Sequence, residues 1–182
     1  MKDRIVAQRY AKAFLEIFRE SNFDSLLNDI SALRKVFTDS GELIKKIDSY
    51  LLSPQKREEL INLLSENLQN RKVWRNLFGI LVEKHRFSII EAILYELEAI
   101  IYEKRNQIKV ILKTAHKHSP TVIENIRKKV SEIFNKDVIF DARIEPEIIG
   151  GFVAETESFR IDGSIRNNLI KFKNIIDKMR VK

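Results

Sequence analysis

The stretch from Ile148 to Ile165, IIGGFVAETESFRIDGSI, holds three of the chain's five glycines: Gly150, Gly151 and Gly163. Glycines at this density are one way to cradle a phosphate, since a backbone free of Cβ atoms lets several N–H groups converge on an anion. That chemistry needs fixed offsets. Neither GxGxxG nor GxxxxGK followed by Ser or Thr occurs, and no helix start follows Gly150-Gly151 closely. The pair is expected instead to open a short hairpin, where backbone angles or close approach forbid a side chain. Asp162-Gly163-Ser164 sets a hydroxyl beside a carboxylate, but no general base stands at a recognisable spacing from Ser164. The triplet reads as a turn and N-cap that swing the chain into a last helix.

The other candidate chemistry is histidine. His116 and His118 offer two imidazoles to a metal, yet no third ligand lies near them in sequence, and a solvated loop is the expected state. His85 follows a helix C-terminus, where a capping role is expected. The chain has no cysteine, which excludes thiolate metal sites, disulfides and a cysteine nucleophile. No catalytic, cofactor-binding or metal-binding residue is assigned, and the chain is not expected to be an enzyme.

The elements that would position these residues fall into two sets. Up to Arg105 the apolar residues recur at helical spacing. Residues 4–20 align Ala7, Ala11, Phe14 and Phe18, and residues 22–38 align Phe23, Leu27, Ile30, Leu33 and Phe37. A short segment carries Leu43, Ile44 and Ile47. Ser53-Pro54 supplies an N-cap and first-turn proline for a helix with Leu60, Ile61, Leu64 and Leu68. Helices through Trp74 and Leu81, and from Phe87 to Ile101, complete a predicted six-helix bundle over 1–105. From Asn106 the pattern changes. QIKVILKTA and DVIFDARI alternate as strands, Ser119-Pro120 opens a helix, and two short strands at 151–156 and 158–161 precede a helical tail from Ser164. The fold class is α+β, mostly α, with a smaller mixed α/β domain over 106–182.

The first helix is apolar over about 200 degrees, well beyond the ~100 degrees that one buried face requires. Either it is a central helix buried on two sides, or one edge stays open as a groove for a partner helix. In the fifth helix Asn76, Gly79, Ile80 and Glu83 share an edge, and an interior Gly79 costs ~1 kcal/mol relative to Ala, which points to close backbone approach. The net charge of +7 arises from interspersed basic and acidic residues, the pattern of solvated helix faces more than of a nucleic-acid stripe. No apolar run approaches the 18 residues of a membrane span, and the N-terminus lacks the apolar core of a secretory signal.

Three stretches together resemble one family. AQRYAKAFLEI, VEKHRFSIIEAIL and above all IIGGFVAETESFRIDGSIRNNL are similar to the delta subunit of bacterial rotary ATP synthases, related to the mitochondrial oligomycin-sensitivity conferring protein. The likeness runs along essentially the whole chain. It departs where relatives often have RGRL and this chain has Arg166-Asn167-Asn168-Leu169. The resemblance implies a non-catalytic stator subunit, part of a multi-subunit complex and peripheral on the cytoplasmic side of the inner membrane. Its helical domain would bind amphipathic N-terminal segments of the alpha subunits. Its second domain would hold the C-terminal ends of the b subunits. The alpha-subunit groove carried over from the family comprises Tyr10, Ala13, Phe14, Asn76, Gly79 and Ile80. The competing reading is a helical-bundle RNA-binding protein of the transcription-antitermination type.

Overall fold

The computed structural model describes residues 2–49, 52–117, 119–156 and 159–180. The chain is mostly helical, with one small mixed sheet, and divides into two compact units, Met1–Ile101 and Tyr102–Lys182.

In the first unit α1 (Lys2–Leu15), α2 (Phe23–Asp39), α3 (Leu43–Asp48), α4 (Pro54–Glu66), α5 (Arg71–Glu83) and α6 (Ile90–Lys104) precede the first strand, and the division between units falls inside α6. Their apolar faces meet in one core. Through it runs a chain of rings. Phe14 touches Phe18 at 5.3 Å and Trp74 at 4.7 Å between centroids, Trp74 continues to Phe78 at 5.8 Å, and Phe78 to Phe87 at 5.7 Å. Such tilted and edge contacts add to the area that the rings bury.

Helix α1 stops short of the expected residue 20. From Ile17 its backbone bonds tighten to i−3, with Ile17 N–H donating to Phe14 and Phe18 N–H to Leu15, and Arg19 is extended. The turn folds the Phe18 ring back against Phe14. Ser53 does cap α4, accepting from the Lys56 N–H, with Pro54 in the first turn. Helix α5 ends in a Schellman motif: Arg86 N–H donates to the Leu81 carbonyl and His85 N–H to that of Val82. His85 occupies the left-handed position at φ 51°, which glycine usually takes. Its capping is therefore a matter of backbone geometry as much as of charge.

The second unit holds β1 (Gln107–Thr114), α7 (Pro120–Phe134), β2 (Asp137–Ile144), β3 (Phe152–Glu155), β4 (Arg160–Asp162) and α8 (Ile165–Arg180). The strand order is β2-β1-β3-β4. β1 and β2 run parallel, joined through α7, whereas β3 is antiparallel to both β1 and β4. Val110, Leu112, Val138 and Ala154 from the sheet pack with Ile126 and Val130 of α7. Between β2 and β3 the chain makes a single 3-10 turn over Pro146–Ile148. Residue 158 of the expected last strand lies outside the described residues, and β4 is described from Arg160.

Candidate functional site

The glycine block closes on itself. Gly151 has φ +81°, and a Cβ built there would stand 2.3 Å from the Gly163 carbonyl oxygen. Gly163 N–H donates to the Phe152 carbonyl, and Ile165 N–H donates to that of Gly150. Ser164 is buried. Its hydroxyl donates to Asp162 Oδ1 at 2.6 Å and accepts from the Asn167 N–H at 3.1 Å, which makes it the N-cap of α8. Asn167 in turn donates through its side chain to the Asp162 carbonyl. The N–H groups of Gly163, Ser164 and Ile165 are thus engaged within the turn, and the serine proton is directed at Asp162.

The Asp162 carboxyl is held below the usual carboxylate range, first by the Ser164 hydroxyl, then by the Ser164 N–H and Arg160, with burial opposing them. A depressed folded-state value contributes stability that is present above about pH 4 and is lost as pH falls through the folded value. Urea titrations of the second unit should therefore show a midpoint that drops below about pH 4. Asp162→Asn should flatten that drop, and an unchanged acid profile would remove Asp162 as its source. On the sheet, Lys113 bonds Glu145 at 3.1 Å and Glu155 at 3.0 Å, and Glu155, then Glu145, raises its ammonium above its ordinary value.

His116 follows β1, with its carbonyl accepting from the Thr114 hydroxyl, while His118 lies outside the described residues. Among the described residues no group of three His, Asp or Glu side chains is arranged to hold a metal.

The helical unit carries a different kind of site. Phe14 is 4 % exposed, part of the core beneath the surface of α1. Beside it Val6, Tyr10 and Ala13 of α1, spaced i, i+4, i+7, form an apolar stripe that the unit leaves partly uncovered, and Ile17 lies in the turn that follows the helix. Val6 and Tyr10 are half-buried, Ala13 is exposed, and Ile17 is 64 % exposed. The wide apolar arc is therefore only partly buried by this chain's own helices. Phe14 lies between that stripe and the buried face, and it is Phe14 that meets Trp74 of α5. One flank of α5 faces α4: Arg75 pairs with Glu58 at 3.0 Å, and Gly79 and Val82 line a depression of about 280 Å³ with Pro54, Arg57 and Ile61. The opposite flank carries half-buried Val73, exposed Asn76 and Ile80, 47 % exposed. Of the groove residues inferred from sequence, Tyr10 and Ala13 thus share one stripe, and Asn76 and Ile80 the free flank of α5. Phe14 is buried in the core against Trp74. Gly79 belongs to the α4 side, and among the described residues nothing lies within 4 Å of the place a Cβ would take, so none of them explains this glycine.

Sequence reasoning passed over Asp29, the hub of this unit. It is 2 % exposed and accepts from Gln69 N–H (2.7 Å), Asn70 N–H (3.0 Å), Asn70 Nδ2 (2.8 Å) and Trp74 Nε1 (3.0 Å). The signal was present: Asp29 stands between Leu26 and Ile30 on the core stripe of α2, a register where an unpaired carboxylate would be untenable.

The helical unit thus keeps an apolar flank uncovered for a binding partner, and the mixed unit's glycine block directs the Gly163, Ser164 and Ile165 N–H groups into its own turn. The family model for the ATP synthase delta (OSCP) subunit matches residues 6–176, and the chain belongs to that family. It is a stator component of the peripheral stalk of F-type ATP synthases, structural rather than catalytic. The chain is 29% identical over 177 residues to ATP synthase subunit delta of Carboxydothermus hydrogenoformans, covering 97% of this chain and 99% of the relative. It is 24% identical over 172 residues to that of Magnetococcus marinus, covering 94% of each. A chain in the cryo-EM structure of the Toxoplasma gondii mitochondrial ATP synthase hexamer shares the fold at TM-score 0.70 and 17% identity, over 93% of this chain and 96% of that one. These findings leave the RNA-binding alternative without support. No helix among the described residues is long and apolar enough to cross a membrane.

Proposed function

We propose that the helical unit, read from the sequence as a six-helix bundle, grips amphipathic N-terminal segments of the alpha subunits in the seam between α1 and α5. The second unit holds the C-terminal ends of the b subunits. The observation that carries the reading is the uncovered stripe Val6, Tyr10 and Ala13 on α1, with exposed Ile17 in the turn beyond it, together with the free flank of α5 that presents Ile80. An apolar stripe down a helix is the complement of another amphipathic helix, and the small Ala13 lets the partner backbone come close. In the second unit α8 exposes Leu169, Phe172 and Ile176 at i, i+3 and i+7, an apolar stripe suited to a helical end of b. The mechanism is mechanical. Rotor torque drags the catalytic head unless a fixed joint ties it to the stalk, so a subunit that holds both supplies the counter-torque. The joint sits peripherally, on the cytoplasmic side of the inner membrane.

The test is binding of a synthetic alpha-subunit N-terminal peptide, followed by calorimetry. Ala13→Asp puts a charge on an exposed position in the stripe and should weaken binding at least about tenfold, near 1.4 kcal/mol, with an unchanged helical circular dichroism spectrum. Undiminished affinity in a folded variant would remove the α1 stripe as the site.

A further inference from the structure

Little of helix α8 is covered: Ile165, Leu169, Ile170, Phe172 and Ile176 are all 48–64 % exposed. At about 100° per residue, Ile165, Leu169, Phe172 and Ile176 fall within about 60° of one another, a single apolar stripe. Arg166 and Lys173, exposed and spaced i, i+7, run together along one border of it, whereas the other border carries Asn168. Lys171 lies toward the back of the helix. Residues 165–180 hold five basic residues and one acid, Asp177. Arg166 stands in the first turn of α8, where a cation opposes the helix dipole, and no described carboxylate pairs with it or with Lys173. The stability of the helix therefore does not account for this charge.

We propose that the segment α8 receives is an acidic amphipathic helix, its apolar stripe laid on that of α8 and its carboxylates aligned with the Arg166–Lys173 border. This rests on the reading of α8 as the seat of the b C-terminal ends, and adds to it the sign of the charge that b carries there. Charge complementarity singles out the occupant. A flat anionic membrane would draw cations to both borders of the stripe. A border that is basic on one side only is matched by a helix lying alongside, about 8–10 Å away between axes, with Asp or Glu facing that side. The apolar contact supplies most of the affinity, and the charged border fixes which way round the partner lies and speeds its approach.

The probe is a synthetic peptide of about 25 residues from the C-terminal end of the same organism's b subunit, longer than α8 itself, titrated into the full chain. Raising salt from about 0.05 to 0.5 M should weaken binding about fivefold. Arg166→Glu combined with Lys173→Glu should weaken it at least about tenfold, and a peptide with its acidic residues changed to Lys should restore affinity for that variant. Arg166→Glu suits the helix dipole better than arginine does, so fraying of α8 cannot produce the loss. Lys171→Glu, an equal change of charge on the back of the helix, should cost less than about twofold. A peptide that does not bind, or binds undiminished to Leu169→Glu, removes α8 as the seat of b and the proposal with it. Binding lost on Leu169→Glu but indifferent to salt and to the double reversal keeps the seat and overturns the acidic partner. Vesicles rich in phosphatidylglycerol that bind the wild type, and lose it on the double reversal while the peptide does not, assign the border to lipid and overturn it too.

Discussion

Asp29→Ala should destabilise the helical unit by about 4 kcal/mol. The carboxylate collects four donors from the turn between α4 and α5 and from the first turns of α5. Removing it leaves the Trp74 indole N–H in a fully buried site with no acceptor, and it frees the Gln69 and Asn70 backbone from the position that sets α5 against α2. Each buried donor left unsatisfied costs about 1–3 kcal/mol, and stripping one side of a buried charge-assisted network costs about 3–5. Because domain stabilities run to only about 5–15 kcal/mol, the variant should be close to melting at physiological temperature. The chain's one tryptophan is the hub's own partner, so urea unfolding followed by its fluorescence reads the effect directly. Asp29→Asn keeps one acceptor oxygen but turns a donor toward the remaining N–H groups, and should fall between. A shift of less than about 1 kcal/mol for Asp29→Ala would show that the turn holds without the carboxylate.

Gly151→Ala should cost the second unit about 3 kcal/mol or more. Two effects add. At φ +81° any residue with a Cβ is strained by about 1–2 kcal/mol, and here the methyl would also meet the Gly163 carbonyl at 2.3 Å and Ser164 Cα at 3.1 Å. Those are backbone atoms, pinned by the Gly163–Phe152 hydrogen bond and by the Ser164 cap, and they cannot move without opening the entry to α8. The neighbouring glycine is the control. At Gly150 the nearest obstacle is the end of the Ile165 side chain, at 2.7 Å, which can change rotamer, so Gly150→Ala should cost about 1 kcal/mol. Hydrogen exchange at the β1, β3 and β4 amides reports the loss, whereas Trp74 fluorescence, which belongs to the other unit, should not move. Equal costs at the two positions would refute the close approach as the reason for Gly151.

The secondary structure was legible because it follows from local rules. The 3.6-residue spacing of apolar residues marks helices, alternation marks β1 and β2, and Ser53-Pro54 marks the start of α4. The glycine block was legible as turns for the same reason: its spacing fits no anion loop. Where α1 stops was not, because the pattern runs on through Phe18 while the chain turns to stack that ring on Phe14. Nor was the left-handed backbone of His85, a conformation that its residue type does not announce.

By itself, then, the sequence determined the element types, the change from helical to mixed structure near residue 106, and the resemblance that the family match bears out. Tertiary structure alone decided which of two flanks each helix keeps open. Helical periodicity sorts residues by angle around one axis, but exposure depends on which neighbours pack there. Phe14 therefore lies beneath the α1 stripe rather than on it, and Gly79 faces α4. The same holds for Asp29, whose four donors on Gln69, Asn70 and Trp74 lie 40 to 45 residues along the chain, and for β2, whose free edge exists only because the sheet is ordered β2-β1-β3-β4. Local chemistry writes the elements, and long-range contacts choose which of their surfaces remain available to a partner.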